Sequence, residues 1–448
     1  MKILFISLGC DKNLVDSEVM LGLLTKNGYT LTDDETQADV IVINTCCFIH
    51  DAKEESINTI LEMAQYKEQN LKALVVAGCL AERYKDEILK EIPEIDAVLG
   101  TTSYDSIVEA VNMALAENAG EHFEHYESID YLPDNSEVER VVTTGNHMAY
   151  LKIAEGCDKR CSYCIIPKIR GHFRSVPMEE LLNEAKRLAS EGVKELVLVA
   201  QETTLYGKDL TGEKQLPLLL HELCKIEGIE WIRLLYCYPE EITDELIEAI
   251  RTEEKVCNYI DMPIQHSENR ILQRMGRRTS REDLVAVIKK LRQEIPDITI
   301  RTTLITGFPG ESEEDHEGLM NFVEECKFDR LGVFTYSPEE DTLAATFEDQ
   351  IDEEVKEARR DELMSLQQEI SYEHTQQLVG KTIKVMVEGY LFEDDIYVGR
   401  SYMDAPKVDG CVFINSPEEL MTGDFVYVKI TQGREYDVIG EVDYEFTK

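Results

Sequence analysis

Three unbroken apolar runs alternate with amphipathic stretches in the first hundred residues. The runs and the stretches that follow them lie at residues 3–8, 40–45 and 74–78, and at residues 16–27, 52–65 and 82–89. Strands buried on both faces of a parallel sheet have this continuous apolar character, and the stretches are long enough for crossover helices. The pattern therefore predicts an N-terminal α/β domain with a parallel sheet.

A cysteine follows each of these apolar runs: Cys10, Cys46 and Cys79. Because ligands bind at the carboxyl ends of parallel strands, we expect the three thiols to converge at that edge of the sheet. Each one alone is compatible with a buried structural thiol, but the shared position favours an iron–sulfur cluster held by all three. Cys47 competes with Cys46, because neighbouring residues at a strand end point in opposite directions and one of the two faces the site.

Beyond residue 150 the alternation of strands and helices resumes. Six strand candidates lie at residues 150–153, 195–200, 232–236, 259–262, 298–304 and 331–336. Helical stretches lie between them, for example at residues 178–190, 242–251 and 281–294. Six βα units are fewer than the eight of a closed barrel, so we expect a partial, open (βα)6 barrel.

The other segments suggest how the chain is divided. The polar stretch at residues 118–146 is typical of a connection between domains, and residues 352–378 form a charged helix candidate. From residue 381 short alternating runs separated by turn residues predict a small antiparallel β-barrel. We expect an α/β protein whose segments are residues 1–117, 118–146, 147–375 and 376–448.

The densest group of cysteines has the spacing C-x3-C-x2-C and consists of Cys157, Cys161 and Cys164. Three thiolates this close on one loop can bind three irons of a [4Fe–4S] cluster and leave the fourth iron open. The alternative is a zinc knuckle, but structural zinc takes four ligands and no fourth Cys or His lies nearby in the sequence. The spacing favours the cluster. The scattered cysteines are interpreted as core thiols: Cys224, Cys237, Cys257, Cys326 and Cys411.

The net charge of the chain limits the classes of partner that it can bind. Its 448 residues include 46 Lys and Arg against 89 Asp and Glu, a formal net charge of −43. Such a chain repels a phosphate backbone, so the composition argues against a nucleic-acid-binding protein and favours a basic protein partner. Without a run of about 18 apolar residues or a secretion signal, and with twelve cysteines, we expect a reducing, cytoplasmic setting and no membrane partner.

Basic residues stand out in so acidic a chain where they cluster near the expected barrel mouth: Lys168, Arg170, His172, Arg174, Arg274, Arg277 and Arg278. They are suited to neutralising a carboxylate of a ligand or substrate, although ordinary surface ion pairing explains them equally well. Arg301, on a barrel strand, is a weaker candidate of the same kind. No side chain other than the cysteines is assigned to the chemistry.

A C-x3-C-x2-C loop after the first strand of a partial βα barrel resembles the radical S-adenosylmethionine superfamily, and Tyr163 matches its usual aromatic residue between the last two cysteines. Nearly the whole chain resembles the methylthiotransferases of that superfamily. The motifs that carry the resemblance are SLGCDKN at 7–13, NTC at 44–46, AGCL at 77–80 and TGFPGE at 306–311. The family's NTC pattern assigns the ligand to Cys46 and leaves Cys47 as an extra thiol.

Within this family the chain looks most like the branch that modifies an aspartate of ribosomal protein uS12. The stretches concerned are FIHDAKEES at 48–56, CIIP at 164–167, VFTYSPEE at 333–340 and GRSYMDAP at 399–406. They are also compatible with barrel walls shared by the branch that modifies tRNA adenosine, which is the alternative. The terminal, TRAM-like barrel has 7 basic and 14 acidic residues from Lys381 onward, a net charge of −7, which suits a basic protein better than tRNA.

The resemblance implies that a methylthio group is inserted at the β-carbon of the aspartate by radical S-adenosylmethionine chemistry. It implies two [4Fe–4S] clusters, S-adenosylmethionine as the cofactor, and a reductant of the flavodoxin or ferredoxin type. The implied cluster ligands are Cys10, Cys46 and Cys79 for one cluster, and Cys157, Cys161 and Cys164 for the other. A non-catalytic iron–sulfur electron carrier is an alternative of another class, disfavoured because an electron carrier needs no cofactor barrel.

Overall fold

The N-terminal part of the chain forms a six-stranded sheet, and the computed structural model describes residues 1–116 and 122–446. The strands are β1 (Lys2–Ser7), β2 (Thr30–Leu31), β3 (Val40–Thr45), β4 (Ala73–Gly78), β5 (Ala97–Leu99) and β6 (Phe123–His125). They lie in the order β2-β1-β3-β4-β5-β6, and all neighbouring pairs are parallel. The parallel α/β domain predicted from the apolar runs is confirmed.

Helices cover both faces of this sheet. They are α1 (Asp11–Lys26), α2 (His50–Ala64), α3 (Cys79–Arg83), α4 (Ile88–Glu91) and α5 (Ile107–Ala114). Alternate residues of β3 therefore enter two cores: Ile41 joins the core of Ile60 on α2, and Val42 joins that of Met20 on α1. The helix predicted at residues 82–89 is instead two short helices, α3 and α4, separated by a turn.

The predicted connection at residues 118–146 contributes a strand to the first sheet. Strand β6 pairs with β5 in parallel register, with Ala97 opposite Phe123. The predicted boundary between residues 117 and 118 lies outside the described residues, as do residues 447–448 at the end of the chain. The domain boundaries stay a prediction.

A second six-stranded parallel sheet forms the centre of the molecule. The strands of this part are β7 (Met148–Lys152), β8 (Ala154–Glu155), β9 (Arg174–Ser175), β10 (Glu195–Val199), β11 (Trp231–Leu234), β12 (Val256–Asp261), β13 (Thr299–Thr306) and β14 (Arg330–Thr335). The sheet has the order β14-β13-β12-β11-β10-β7, while β8 and β9 form a separate antiparallel pair. Among the described residues its two edges, β7 and β14, do not pair, which confirms the partial barrel.

Helices follow the strands of this barrel, and the longer ones pack on its outer face. They are α6 (Ile166–Ile169), α7 (Met178–Ser190), α8 (Lys208–Thr211), α9 (Leu216–Cys224), α10 (Asp244–Thr252), α11 (Asn269–Arg274), α12 (Arg281–Glu294), α13 (Glu313–Cys326) and α14 (Glu353–Leu378). Capping boxes at Ser280 and Ser312 begin α12 and α13, because each serine oxygen accepts a backbone N–H that the helix leaves unpaired.

The last segment closes into a five-stranded barrel, here called the terminal barrel. Its strands are β15 (Thr382–Leu391), β16 (Ile396–Ser401), β17 (Val412–Asn415), β18 (Phe425–Gly433) and β19 (Val438–Val442). The order around the barrel is β15-β16-β17-β19-β18. The expected small β-barrel is confirmed, although β17 and β19 pair in parallel because the chain crosses over between them.

The terminal barrel covers the open inner face of the central sheet near the amino-terminal ends of its strands. Phe425 packs edge-on against Trp231, with ring centroids 4.8 Å apart, and Met386 belongs to the same buried cluster. Arg400 reaches Glu195 at 2.6 Å, and Arg233 also binds Glu195, at 2.8 Å. The side chains of this three-residue ion cluster are almost completely buried. The terminal barrel is therefore part of the core of the molecule.

We expect Glu195→Gln to destabilise the chain by about 3–5 kcal/mol at pH 7, because two buried guanidinium groups lose their shared carboxylate. Burial by itself raises the pKa of Glu195, but Arg400 and Arg233 lower it to about 2. A depressed folded pKa stabilises above the unfolded value of about 4.3, and that stabilisation disappears as pH falls toward 2. The difference from wild type should therefore shrink between pH 5 and pH 2.

Denaturant unfolding followed by fluorescence measures this, since Trp231 is the single tryptophan of the sequence and lies at the interface. Glu222→Gln is the matched control, because Glu222 pairs with Lys225 on the surface, where solvent screens the ion pair and its removal should change stability little. Equal effects of the two substitutions would contradict the assignment of Glu195 as a buried anchor.

Candidate active site between two cysteine triads

The N-terminal triad is defined as Cys10, Cys46 and Cys79, and it lies at the carboxyl edge of the first sheet. Cys10 immediately precedes α1, Cys46 follows β3, and Cys79 is the first residue of α3. Burial raises the pKa of the Cys79 thiol, Arg170 opposes this, and the thiols of Cys47, Cys46 and Cys10 raise the pKa further. Cys10 and Cys46 thus lie close enough to Cys79 to affect its pKa, as their positions after the strands predict.

Two glycines allow this close approach. Gly9 has a φ of +87°, and a Cβ on it would lie 2.6 Å from Cβ and 2.8 Å from Sγ of Cys46. Gly78 has a φ of +92°, and a Cβ there would lie 2.3 Å from Oδ1 of Asn44. A side chain at either position would strain the backbone and displace the residues that carry the triad.

Two asparagines fix the strand ends that carry the N-terminal triad. Nδ2 of Asn13 donates to the carbonyl of Leu8 at 2.7 Å. Nδ2 of Asn44 donates to the carbonyl of Asn13 at 3.0 Å and to Oγ of Ser17 at 2.9 Å. These bonds tie α1 to the ends of β1 and β3, and so they hold Cys10 and Cys46 in a fixed relation.

Cys47 points into the apolar core rather than toward Cys10. Its Sγ donates to the carbonyl of Cys79 at 3.1 Å, and it belongs to the core cluster that contains Ile60 and Leu80. Burial raises the pKa of the Cys47 thiol to about 12. By contrast, the Cys46 thiol lies against Gly9, next to Cys10. This orientation supports the choice of Cys46 over Cys47.

The barrel triad is defined as Cys157, Cys161 and Cys164, on the loop between β8 and α6. The loop is held by backbone bonds at both ends. The Cys157 N–H donates to the carbonyl of Gly171 at 3.1 Å, and the Ser162 N–H donates to that of Met275 at 2.8 Å. Burial raises the pKa of the Cys164 thiol and the neighbouring Cys161 raises it further, so these thiols also lie together.

An arginine and a tyrosine lie against the barrel triad. The hydroxyl of Tyr238 is 3.6 Å from Sγ of Cys161, and the Arg277 guanidinium lies 4.3 Å from the centre of the Tyr238 ring. Arg277 is buried and donates to the carbonyl of Pro263 at 2.7 Å. Its Nε has no hydrogen-bond partner in the part of the chain that the structure describes. A buried cation with an unused donor is suited to a ligand carboxylate.

Glu202 lies beside the same triad at the carboxyl end of β10. Burial raises the pKa of its carboxyl group to about 7, with Thr204 and Lys159 acting in the opposite direction. Lys159 lies 3.9 Å from Glu202 but is closer to two other carboxylates, at 2.6 Å from Glu241 and 3.3 Å from Glu240. The charge of Lys159 is therefore balanced mainly by Glu241 and Glu240. Glu202, at the barrel mouth, has no cation as close to its carboxyl group within the described part of the chain.

A buried charge network joins the two triads. Arg170, just after α6 on the barrel side, donates to Asp16 of α1 at 2.7 Å and to Glu155 at 3.2 Å. Its other terminal nitrogen donates to Oδ1 of Asn13 at 2.8 Å and lies 3.5 Å from Sγ of Cys79. Arg170, six residues after the last cysteine of the barrel triad, thus reaches the N-terminal triad, so both triads lie at one junction between the sheets.

The donor atoms present fit the groups that the sequence implies. Each triad offers three thiols, the ligands with which a four-iron cluster keeps one iron open. At the ends of the barrel strands, buried oxygens of Gln201, Glu202 and Gln265 have no hydrogen-bond partner among the described residues. These oxygens match the amino and hydroxyl donors of S-adenosylmethionine. Within residues 1–116 and 122–446, no group of three or more His, Cys, Asp and Glu side chains is arranged to hold a single metal ion.

The other basic residues singled out in the sequence are mostly in ordinary contacts. Arg274 pairs with Asp349 at 2.7 Å, His172 contacts Asp158 at 3.0 Å on the surface, and Lys168 donates to the carbonyl of Asp341. Arg174 donates to backbone carbonyls, and Arg278 is exposed. Arg301 pairs with Asp261 and with Asp409 of the terminal barrel. Of that group, Arg170 and Arg277 are the members buried at the triads.

Two further residues of the site were not singled out from the sequence. Lys12 is buried, and its Nζ lies 3.3 Å from the centre of the Tyr236 ring. Tyr236 follows β11 with a φ of +60°, in the left-handed region that non-glycine residues rarely adopt. No sequence pattern predicts the burial of this lysine or the strained backbone of this tyrosine, because both arise from contact between distant segments.

Family models match all three parts of the chain. Residues 2–100 match a family described as the uncharacterized protein family UPF0004, residues 151–323 match the radical SAM superfamily, and residues 379–442 match the TRAM domain. The fold and the barrel triad thus define a radical S-adenosylmethionine enzyme.

Relatives that match over their full length show which family within this superfamily the chain belongs to. The chain is 62% identical to the ribosomal protein uS12 methylthiotransferase RimO of Lachnoclostridium phytofermentans, over 99% of this chain and 100% of the relative. It is 52% identical to the protein of the same name from Acetivibrio thermocellus, over 100% of this chain and 99% of the relative. The chain belongs to the RimO family of ribosomal protein uS12 methylthiotransferases.

Solved structures confirm the fold. The radical S-adenosylmethionine methyltransferase TsrM from Kitasatospora setae, with cobalamin and a [4Fe-4S] cluster bound, superimposes with a TM-score of 0.55 at 13% identity. The match covers 85% of this chain and 78% of TsrM. At this identity the likeness concerns the arrangement of the two parallel sheets and not the reaction.

We expect Gly9→Ala to remove the iron of the N-terminal triad, because the new Cβ would collide with Cys46 and the backbone would be strained. Iron content of the anaerobically reconstituted chain should fall by about half if each triad holds one cluster of four. Gly28→Ala is the matched control, since Gly28 has a φ of +85° but no atom within 4 Å of its Cβ position. Full iron content in Gly9→Ala would show that this contact does not shape the triad.

Proposed function

We propose that this chain inserts a methylthio group at the β-carbon of an aspartate residue of ribosomal protein uS12. The observation that carries the proposal is identity of 50–62% to proteins named as uS12 methylthiotransferases, spanning 97–100% of this chain. The geometry is consistent with it, because a radical-forming site and a sulfur-bearing site must face a common cavity, and Arg170 connects the two triads.

We propose the two triads as the ligands of two [4Fe–4S] clusters, with Cys10, Cys46 and Cys79 at the first and Cys157, Cys161 and Cys164 at the second. Support comes from the effect of the neighbouring thiols on the pKa values of Cys79 and Cys164 and from the orientation of Cys47 into the core. The positions at strand ends, where parallel sheets bind ligands, add to this support.

The chemistry explains why the site is buried. An aliphatic C–H bond is beyond the reach of side-chain acids and bases, and S-adenosylmethionine at an iron–sulfur cluster supplies the necessary radical chemistry when bound. The protein keeps water away, since Arg277 and Glu202 are buried at the barrel triad and Arg170 is buried at the N-terminal triad. The unused donor of Arg277 is available for the carboxylate of the cofactor.

The surrounding surface suits a basic protein partner. The terminal barrel has the acidic net charge noted above, and exposed acidic residues flank the exposed Phe392 at the tip between β15 and β16. Such a surface accelerates encounter with a basic ribosomal protein. A flavodoxin- or ferredoxin-type protein is proposed as the reductant and the cytoplasm as the place of action. In the described residues, no helix is long and apolar enough to cross a membrane.

The proposal is tested by incubating the reconstituted, reduced chain and S-adenosylmethionine with purified uS12 and, separately, with tRNA. Mass spectrometry should find a methylthio group on one aspartate of uS12 and none on tRNA. Modification of adenosine in tRNA instead would establish the rival activity. Cofactor cleavage with neither product would point to another substrate.

A second prediction concerns the cluster assignment. The reconstituted chain should bind about eight irons, and the triple substitution of Cys157, Cys161 and Cys164 by Ala should leave about half and abolish cofactor cleavage. The corresponding triple variant of Cys10, Cys46 and Cys79 should still cleave the cofactor but form no methylthio product. Cys47→Ala is the control and should keep both iron and activity. Loss of iron in Cys47→Ala but not in Cys46→Ala would overturn the choice between these thiols.

A further inference from the structure

The proposed reaction makes a specific demand on the site. The β-carbon of an aspartate is bonded directly to its carboxylate carbon, so the carboxylate enters the buried junction together with the carbon that receives sulfur. Burying that negative charge without a counter-ion is costly. We therefore expect a cation close to the N-terminal triad, the proposed place of sulfur delivery.

Most buried cations near the triads already have carboxylate partners. Lys152 and Arg170 share Asp16 and Glu155, which gives two positive charges against two negative ones. Lys159 lies among three glutamates.

Arg277 has an unused donor but lies against Cys161 and Tyr238 at the barrel triad. The cofactor brings its own carboxylate to that triad, so Arg277 is already suited to a different group. None of these cations is therefore available for the carboxylate of the substrate, and we look for another one beside the N-terminal triad.

Lys12 is a buried cation beside the N-terminal triad. It is two residues from Cys10, on the first turn of α1, and its side chain is 8% exposed. Its Nζ is 3.0 Å from Oδ1 of Asp11, the one carboxylate in ion-pair range among the described residues. The second oxygen of Asp11 is buried and has no hydrogen-bond partner among the described residues. The arrangement is a polar cluster whose hydrogen-bonding capacity is not filled.

Tyr236 holds this lysine from the barrel side. The Tyr236 ring lies under Nζ of Lys12 at 3.3 Å, and its hydroxyl donates to Asp11 at 3.0 Å. The positive φ of Tyr236 is maintained by bonds at its backbone: its N–H donates to Asp261 at 2.9 Å, and its carbonyl accepts from Thr203 at 3.1 Å. A non-glycine residue kept in a strained conformation by its surroundings is typical of functional sites.

We propose that Lys12 binds the carboxylate of the substrate aspartate, and that Tyr236 and Asp11 hold its ammonium group in position beside Cys10. The inference rests on the proposed function and adds a specificity-determining residue to it. Lys12 selects an aspartate over the isosteric asparagine, because a buried ammonium group forms a stronger, charge-assisted hydrogen bond with a carboxylate than with a neutral amide.

The test is a binding cycle with the reconstituted full chain and two forms of uS12, the natural protein and one in which the modified aspartate is replaced by asparagine. Wild-type enzyme should bind the aspartate form at least about tenfold more tightly than the asparagine form. In Lys12→Met, which keeps the length of the side chain, the ratio should fall to about one. Lys12→Arg should restore part of it.

Lys72→Met is the matched control, because Lys72 also pairs with one aspartate, Asp39, at 2.7 Å, but on the surface of the same domain. It should keep the wild-type ratio. The double variant Asp11→Asn/Lys12→Met removes both buried charges together, so its ratio of about one would show that the loss does not result from misfolding around an unpaired Asp11.

The outcomes separate the two proposals. If wild-type enzyme does not modify uS12, the proposed function fails. If it does, and Lys12→Met lowers thermal stability or weakens both forms of uS12 equally while the aspartate-to-asparagine ratio is unchanged, Lys12 merely joins the two domains and the inference is overturned.

Discussion

The buried charge network around Arg170 is the interaction on which the rest of the site depends. Arg170 comes from the barrel and Asp16 from the N-terminal domain, and Lys152 and Glu155 complete a neutral set of four. Removing one member would leave an uncompensated charge in a water-excluded place, so the network specifies a single docking of the two domains. That docking brings two cysteine triads, each built on its own sheet, to one junction.

The terminal barrel also compensates buried charges, in this case on the central sheet. A six-stranded partial barrel leaves its inner face open, and charged side chains such as Glu195 and Arg233 point into it. The terminal barrel covers this face with Phe425 and supplies Arg400 to the shared carboxylate. Support of the cofactor barrel therefore resides in a module with a net negative charge, whose inner side chains are complementary to the sheet.

Much of the candidate site is built from residues whose local conformation is costly. Gly9 and Gly78 occupy left-handed conformations that bring the N-terminal triad together, and Tyr236 adopts one without being a glycine. The conformation of Tyr236 is maintained by its hydrogen bonds to Asp261 and Thr203. Side chains preorganised in this way suit a site that has to control a reactive radical.

The sequence by itself determined both parallel sheets and the small terminal barrel, and it singled out the six candidate ligand cysteines, because apolar runs and cysteine spacing are local properties of the chain. It missed the short strand β6 and the division of residues 79–91 into two short helices. Alternation along the strand indicated that only one of Cys46 and Cys47 faces the site, and the family motif favoured Cys46. Only the tertiary structure decided which charges face the site. Arg170 and Arg277 are buried at the triads while Arg274 and His172 are in surface ion pairs, and Lys12 meets Tyr236 across 224 residues of chain. The function of a charged side chain depends on what is packed against it, and that is set by the docking of domains rather than by neighbours in the sequence.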